Sequence, residues 1–182
     1  MSALRQPFVI GIAGWKNSGK TTLTTRLIAE CKWRGLTVGS IKHSHHAIDL
    51  DDGETDSARH RRAGADQVAI AGPNRYALIT ETPDGAAATL DTILPQMAPA
   101  DIILVEGWKA APIPKIETRR LAQKERTPLH PADANVVAIA ADHAVHDVTV
   151  PVFDQDEPAV ILDFIVRLMG QHISKSTPEP TQ

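Results

Sequence analysis

Apolar residues in this chain recur in short β-branched runs, separated by stretches with helical spacing. Phe8-Val-Ile-Gly-Ile-Ala13 is continuously apolar, as a strand buried on both faces of a parallel sheet requires. After a glycine-containing turn, Leu23, Leu27 and Ile28 fall on one helical stripe. Thr37–Ile41 predicts a second strand, with Gly35 as the preceding helix stop. Lys42 to Asp56 is a polar loop rich in His and Asp, and Ser57–Ala63 a short helix ended by Gly64. Gln67–Ala71 and Tyr76–Thr80 are short strands about a Gly72-Pro73-Asn74 turn. Ala86–Gln96 predicts a helix that includes Pro95, and Asp101–Glu106 and Val136–Ala140 are buried strands. Ala110–Pro131, with several prolines and many charges, is expected to run across the surface. Val150–Phe153 is a short edge strand because of Pro151, and Glu157–Met169 an amphipathic helix closed by Gly170. Strands alternating with helices predict an α/β fold, a mainly parallel sheet with helices on both faces. We expect one domain over 1–173 and a polar, Pro-rich, disordered tail over 174–182.

Composition narrows the class. The chain has 182 residues, 42% of them hydrophobic, enough for one α/β domain with a core. A net charge of −3 gives no global attraction to nucleic acid or to an acidic membrane. No apolar run approaches the ~20 residues that span a bilayer. The first strand begins within a few residues of Met1, which leaves no room for a secretion signal. The single cysteine, Cys31, has no internal partner and is expected to pack inertly in the first helix. These features predict a cytoplasmic protein.

The chemistry concentrates between the first strand and the first helix. Gly14-Trp-Lys16-Asn17-Ser18-Gly19-Lys20-Thr21 has the glycine, lysine and hydroxyl spacing of a phosphate-binding loop, in the required strand–loop–helix context. Gly14 and Gly19 let the main chain approach a ligand, and backbone N–H groups at a helix N-terminus favour a polyphosphate. Lys20 is the expected β/γ-phosphate contact, Thr21 the expected Mg²⁺ ligand, and Thr22 follows within the first turn.

Ligands of such sheets bind at the carboxyl ends of the strands. Glu106 closes the strand from Asp101 and stands where a nucleotide-binding protein places the acid that holds Mg²⁺; Glu in place of the usual Asp points to coordination through water. Asp101, at the opposite end, reads as a cap or surface group. His43, His45 and His46 follow the second strand, where they could ligate a transition metal, bond phosphate or substrate, or line a solvated loop. Asp56 stands at a helix cap ahead of Arg59, Arg61 and Arg62; Arg59 and Arg62 share a face that could contact phosphate or be solvated. Asp142 could accept the N1 and N2 donors of guanine, or cap a turn, and no Asn-Lys-x-Asp signature accompanies it. Trp15 and Trp108 could stack on a ring-bearing ligand, cover a partner or pack the rim.

Several separated segments together resemble one family. They are Gly14–Leu23, Ile41-Lys-His43-x-His45-His46, Asp56-Ser-x-Arg59-x-x-x-Ala-Gly64-Ala, Leu104-Val-Glu106-Gly107-x-Lys109 and Pro114-Lys-Ile-Glu117. In this order they resemble the molybdopterin-guanine dinucleotide biosynthesis adaptor (MobB) family, from Phe8 to about Ala140, with Trp108 where an apolar residue such as Phe is common. The resemblance implies a P-loop NTPase-type fold and a homodimer that binds GTP with Mg²⁺ and hydrolyses it slowly at most. It also implies assistance to the molybdenum cofactor guanylyltransferase that attaches GMP to molybdopterin, with molybdopterin a bound substrate. Carried onto this chain, Gly14, Gly19, Lys20, Thr21 and Thr22 would hold phosphates and Mg²⁺, and Asp56 and Glu106 would support the metal. Arg59, His43 and Lys109 would face phosphate or pterin. No water-positioning Gln or arginine finger stands at a recognisable position, consistent with slow turnover. An ATP-dependent small-molecule kinase or ligase, and a metallochaperone GTPase built on His43, His45 and His46, remain as alternatives.

Overall fold

Ile10 and Ile12 are fully buried and share one core with Phe8, with Leu23, Leu27 and Cys31 of the first helix, and with Ile161, Leu162 and Ile165 of the last. Each large aliphatic side chain withdrawn from water in this way contributes about 1.5–3 kcal/mol. The computed structural model describes residues 6–44, 48, 50, 51, 53–82, 86–125 and 127–176. In chain order its elements are β1 (Phe8–Ala13), α1 (Lys20–Trp33), β2 (Val38–Lys42), α2 (Asp56–Arg62), β3 (Gln67–Ala71), β4 (Tyr76–Thr80), α3 (Leu90–Ile93), β5 (Ile102–Glu106), β6 (Lys115–Arg119), β7 (Val136–Ala141), β8 (Val152–Asp154) and α4 (Pro158–Ser176). They fall into two compact units, Met1–His43 with Ala98–Gln182, and Ser44–Met97.

The first unit holds a six-stranded sheet in the order β2-β5-β1-β6-β7-β8, with every neighbouring pair parallel. The central β1 lies between β5, with Ile12 opposite Glu106, and β6, with Ala13 opposite Glu117. Because the strands run the same way, the ends of β1, β2, β5, β6 and β7 bring Gly14, His43, Glu106, Arg119 and Ala141 to one edge of the sheet. Helices α1 and α4 pack on each other over a single face.

The second unit holds α2 and the antiparallel β3–β4 hairpin, in which Gln67 faces Thr80 and Ala71 faces Tyr76. The Thr55 hydroxyl caps α2 by accepting the Ala58 N–H.

Three expectations from sequence need correction. The surface excursion predicted for Ala110–Pro131 contains β6, a central strand whose Lys115, Ile116, Glu117 and Thr118 are all buried. Its charges are matched internally. Lys115 pairs with Asp133, and the Glu117 carboxylate accepts from Arg119 Nη2 (2.8 Å), the Leu129 N–H (2.9 Å) and the His130 N–H (3.0 Å). Burial alone would push the Asp133 carboxyl up, but hydrogen bonds from Lys115 and Asn135 hold it below the usual carboxylate range. The helix expected over Ala86–Gln96 begins only at Leu90, where Thr89 and Thr92 form a reciprocal cap, and Leu94–Gln96 tightens into a 3₁₀ turn at Pro95, which has no N–H to donate. Gly170 does not stop α4, which continues to Ser176; a mid-helix glycine costs only about 1 kcal/mol, less than the packing of this helix supplies.

Candidate nucleotide-binding site

The loop between β1 and α1 has a backbone that side chains could not share. Gly14 has φ +150°, and a Cβ there would stand 2.6 Å from Thr118 Oγ1 and 2.7 Å from the Thr118 carbonyl. Asn17 adopts φ +65° and Gly19 φ +96°. Ser18 is fully buried, its hydroxyl 2.6 Å from that of Thr118. Thr118 gives its own proton to the Ala13 carbonyl (3.1 Å), so Ser18 donates and β6 anchors the loop from below. Lys16 and Asn17 are exposed at the loop crest. Gly19 caps α1 without a side-chain bond, and the first turn holds no acid. The helix end therefore presents N–H groups and a positive dipole, suited to an anion.

Charge gathers around this loop. Lys20 Nζ donates to the Trp15 carbonyl at 2.7 Å, and Thr21 Oγ1 donates to Glu106 Oε1 at 2.6 Å. Lys42 Nζ lies 3.5 Å from the same carboxylate oxygen. Lys109 Nζ sits 3.4 Å above the Trp15 ring, a cation–π contact, and the Trp15 indole N–H donates to the Thr127 carbonyl at 2.6 Å. Burial lowers the Lys20 pKa from its ordinary value, Lys109 and Lys42 push the same way, and Glu106 opposes them. Three lysines about one carboxylate leave a positive excess that a polyphosphate would neutralise. Thr21 and Glu106 together offer hard oxygen donors, a chemistry that fits Mg²⁺.

The remaining predicted residues distribute as follows. His43 donates its N–H to the Glu106 carbonyl (2.9 Å) and its ring stacks on Trp108, centroids 4.6 Å apart. Both tryptophans are thus engaged by neighbours of the loop. His45 and His46 lie outside the described residues, and among the described residues no group of three or more His, Cys, Asp or Glu could hold a metal ion. Asp56 and Arg59 belong to the second unit, where they pair at 3.6 Å on exposed turns of α2; Arg61 pairs with Glu81 at 2.9 Å and Arg62 with Glu54 at 3.7 Å. Thr22 is half-buried in the first turn of α1. Asp142 follows β7, and its Oδ1 accepts the Leu121 N–H (3.0 Å) and lies 2.8 Å from His143 Nδ1. Burial would raise this carboxyl, but the His143 and Leu121 bonds hold it below the ordinary value. Asp101 accepts the Thr37 N–H and hydroxyl at 2.8 and 2.6 Å, the expected structural cap. Cys31 is fully buried, and burial raises its thiol pKa.

Sequence reasoning missed three contributors. Thr118 was hidden in the charged strand β6. Gln155, just beyond β8, is buried and places its amide nitrogen 3.0 Å from the Ser18 carbonyl, 2.7 Å from that of Arg119 and 2.9 Å from that of Ala140. Arg120 donates from Nε to the Gln155 side-chain oxygen at 3.0 Å. Only the position of Gln155 at a strand's carboxyl end could have marked it.

Residues 9–142 match the family model described as molybdopterin guanine dinucleotide synthesis protein B, MobB. The molybdopterin-guanine dinucleotide biosynthesis adapter protein of Haemophilus influenzae is 39% identical over 159 residues, 86% of each chain. That of Escherichia coli is 37% identical over 163 residues, 88% of this chain and 93% of the relative. Among solved structures, a MobB protein homolog from Bacillus stearothermophilus superposes with a TM-score of 0.66 at 26% identity, covering 90% of this chain and 98% of its own. Bacillus subtilis MobB gives 0.64 at 29% identity, covering 87% and 96%.

Proposed function

The chain belongs to the MobB family, and from that premise we propose that it is an adapter in molybdopterin guanine dinucleotide biosynthesis that works by binding Mg²⁺ and GTP. The observation that carries this reading is the convergence on one loop of Lys20, of the Thr21–Glu106 pair, and of Lys42 and Lys109. Gly14, Lys16, Asn17, Ser18, Gly19 and Thr22 shape the loop, Lys20 neutralises phosphate, and Thr21 with Glu106 would hold Mg²⁺. The metal would supply charge neutralisation for the phosphate oxygens. Glu106, already engaged by Thr21 and Lys42, serves as a charge and ligand, in keeping with slow hydrolysis at most.

In this reading Asp142 lies on the guanine side, while His43 and Lys109 serve phosphate or molybdopterin. The partner is the guanylyltransferase that attaches GMP, the adapter works as a cytoplasmic homodimer, and molybdopterin is a bound substrate. No helix among the described residues is long and apolar enough to cross a membrane.

Calorimetric titration with Mg²⁺ and either GTP or ATP tests the reading. GTP should bind in preference, and Lys20→Ala should lower its affinity by one to two orders of magnitude, the worth of a charge-assisted contact of about 1.5–3 kcal/mol. Unchanged affinity in that variant, or ATP preference, would refute it.

A further inference from the structure

Three contacts converge on Trp15, and two of them come from lysines of the phosphate site. Lys20 Nζ donates to its carbonyl at 2.7 Å, Lys109 Nζ lies 3.4 Å from its ring centroid, and its indole N–H donates to the Thr127 carbonyl at 2.6 Å. We infer that Trp15 is a positioning residue, whose ring holds the Lys109 ammonium at the phosphate loop where it meets a phosphate group. The inference rests on the reading above that the loop binds a nucleoside triphosphate.

The main chain beneath Lys109 is fixed independently of Trp15. Gly107 has φ +86°, and a Cβ there would stand 3.2 Å from the His43 carbonyl. The Gly107 N–H donates to the Ile12 carbonyl at 3.0 Å, and the Lys109 N–H donates to the Gly107 carbonyl at 3.0 Å. Trp108, between them, stacks on the His43 ring. The root of Lys109 is therefore tied to the ends of β1 and β2, and only its four-carbon stem can swing. Such a stem carries large rotamer entropy. The Trp15 ring restricts it, so less is lost when phosphate binds, and affinity rises without a new contact to the ligand. The ring is itself held at its edge by Thr127. Two residues further on, the Leu129 and His130 N–H groups donate to the buried Glu117 carboxylate at 2.9 and 3.0 Å. A neutral ring suits this task. It orients the cation but leaves its charge uncancelled, whereas a carboxylate would hold Lys109 and neutralise what phosphate needs. Burial is the main cause that lowers the Lys20 pKa, and Lys109 adds to it, so the two ammonium groups are near enough to share one polyanion.

The test is a double-mutant cycle on the whole chain: wild type, Trp15→Leu, Lys109→Met and the double variant. Each is titrated calorimetrically with Mg²⁺-GTP and with Mg²⁺-tripolyphosphate, which lacks base and sugar. Trp15→Leu should weaken both ligands by a similar factor of about three to ten, the worth of a partly exposed cation–π contact. Lys109→Met should weaken both at least as much. In the Lys109→Met background Trp15→Leu should cost less than about twofold, because the ring then has no cation to place. Trp15→Phe keeps an aromatic face and should recover most of the loss. If Trp15→Leu does not fold, Trp15→Gln, which also lacks an aromatic face, completes the same cycle. Additive losses would overturn the inference, as would tighter binding by Trp15→Leu, since the ring would then be withholding Lys109. A loss confined to GTP, or a wild type that binds GTP but not tripolyphosphate, would assign the effect to the nucleoside and overturn it too. In all these cases GTP binding leaves the phosphate-loop reading standing, whereas a wild type that binds neither ligand removes both.

Discussion

Replacing Gln155 by leucine probes how the phosphate loop is held. The side chain is 2% exposed and its volume is nearly conserved by the change. Its amide nitrogen lies within 3.0 Å of three main-chain carbonyls, those of Ser18, Arg119 and Ala140. An amide has two protons, so two of these bonds are fully made at any moment and the third is shared. Leaving buried carbonyls without donors costs about 1–3 kcal/mol each, so two lost bonds set the cost at about 2–6 kcal/mol. The fourth bond, from Arg120, adds little, because Arg120 is only half-buried and water can replace its partner. A central value near 4 kcal/mol corresponds to a fall in Tm of about 8–16 °C for a chain of this size. Urea denaturation followed by the helix signal measures the stability. Because one of the carbonyls belongs to Ser18, the variant should also weaken triphosphate binding. A loss under 1 kcal/mol, or full stability loss with unchanged GTP affinity, would refute this account.

Two further predictions concern charge. Asp133→Ala strands the buried Lys115 ammonium and should cost about 3 kcal/mol, the lower end for a broken buried pair because Asp133 is itself a quarter exposed; Lys115→Met in the same background should restore most of it. The Asp133 carboxyl is depressed in the folded state, so its contribution is complete above the ordinary carboxylate range and is lost as pH falls through the folded value. The stability gap between wild type and Asp133→Ala should therefore close in acid; a gap that persists there would contradict the pairing. For Lys20, burial lowers the pKa, and only the ammonium attracts phosphate. GTP affinity should fall as pH rises through that lowered value, below the ordinary 10.5, whereas Lys20→Arg should hold a flatter profile. Parallel profiles from titrations across alkaline pH would exclude Lys20 as the titrating contact.

Local chemistry made much of the fold legible in the sequence. β1, β3 and β4 stand where the apolar runs place them, because buried parallel strands and Gly-Pro-Asn turns leave local marks. Gly14, Lys20, Thr21 and Glu106 converge because the phosphate-loop spacing and the closing acid of a strand are each readable alone. What stayed hidden depends on distant partners. Lys115 and Glu117 look like surface charges until Asp133 and Arg119 are known to meet them. Gln155 looks like any polar residue after an edge strand. Its importance arises from the simultaneous nearness of carbonyls from three different segments, which no periodicity encodes.

The pairing of β1 has a consequence for synthesis. Both of its neighbours, β5 and β6, come from the later part of the chain, and Gly14 and Ser18 are braced by Thr118 and Gln155. A nascent chain made from its N-terminus completes the loop's sequence early, yet those braces are not made until most of the polypeptide has been translated. Contacts between such distant segments must be closed at an entropic cost before they return any stability, which slows folding. The first chemically distinctive segment to be translated is therefore among the last to acquire its working shape, and chains cut short before Gln155 should carry the motif without the site.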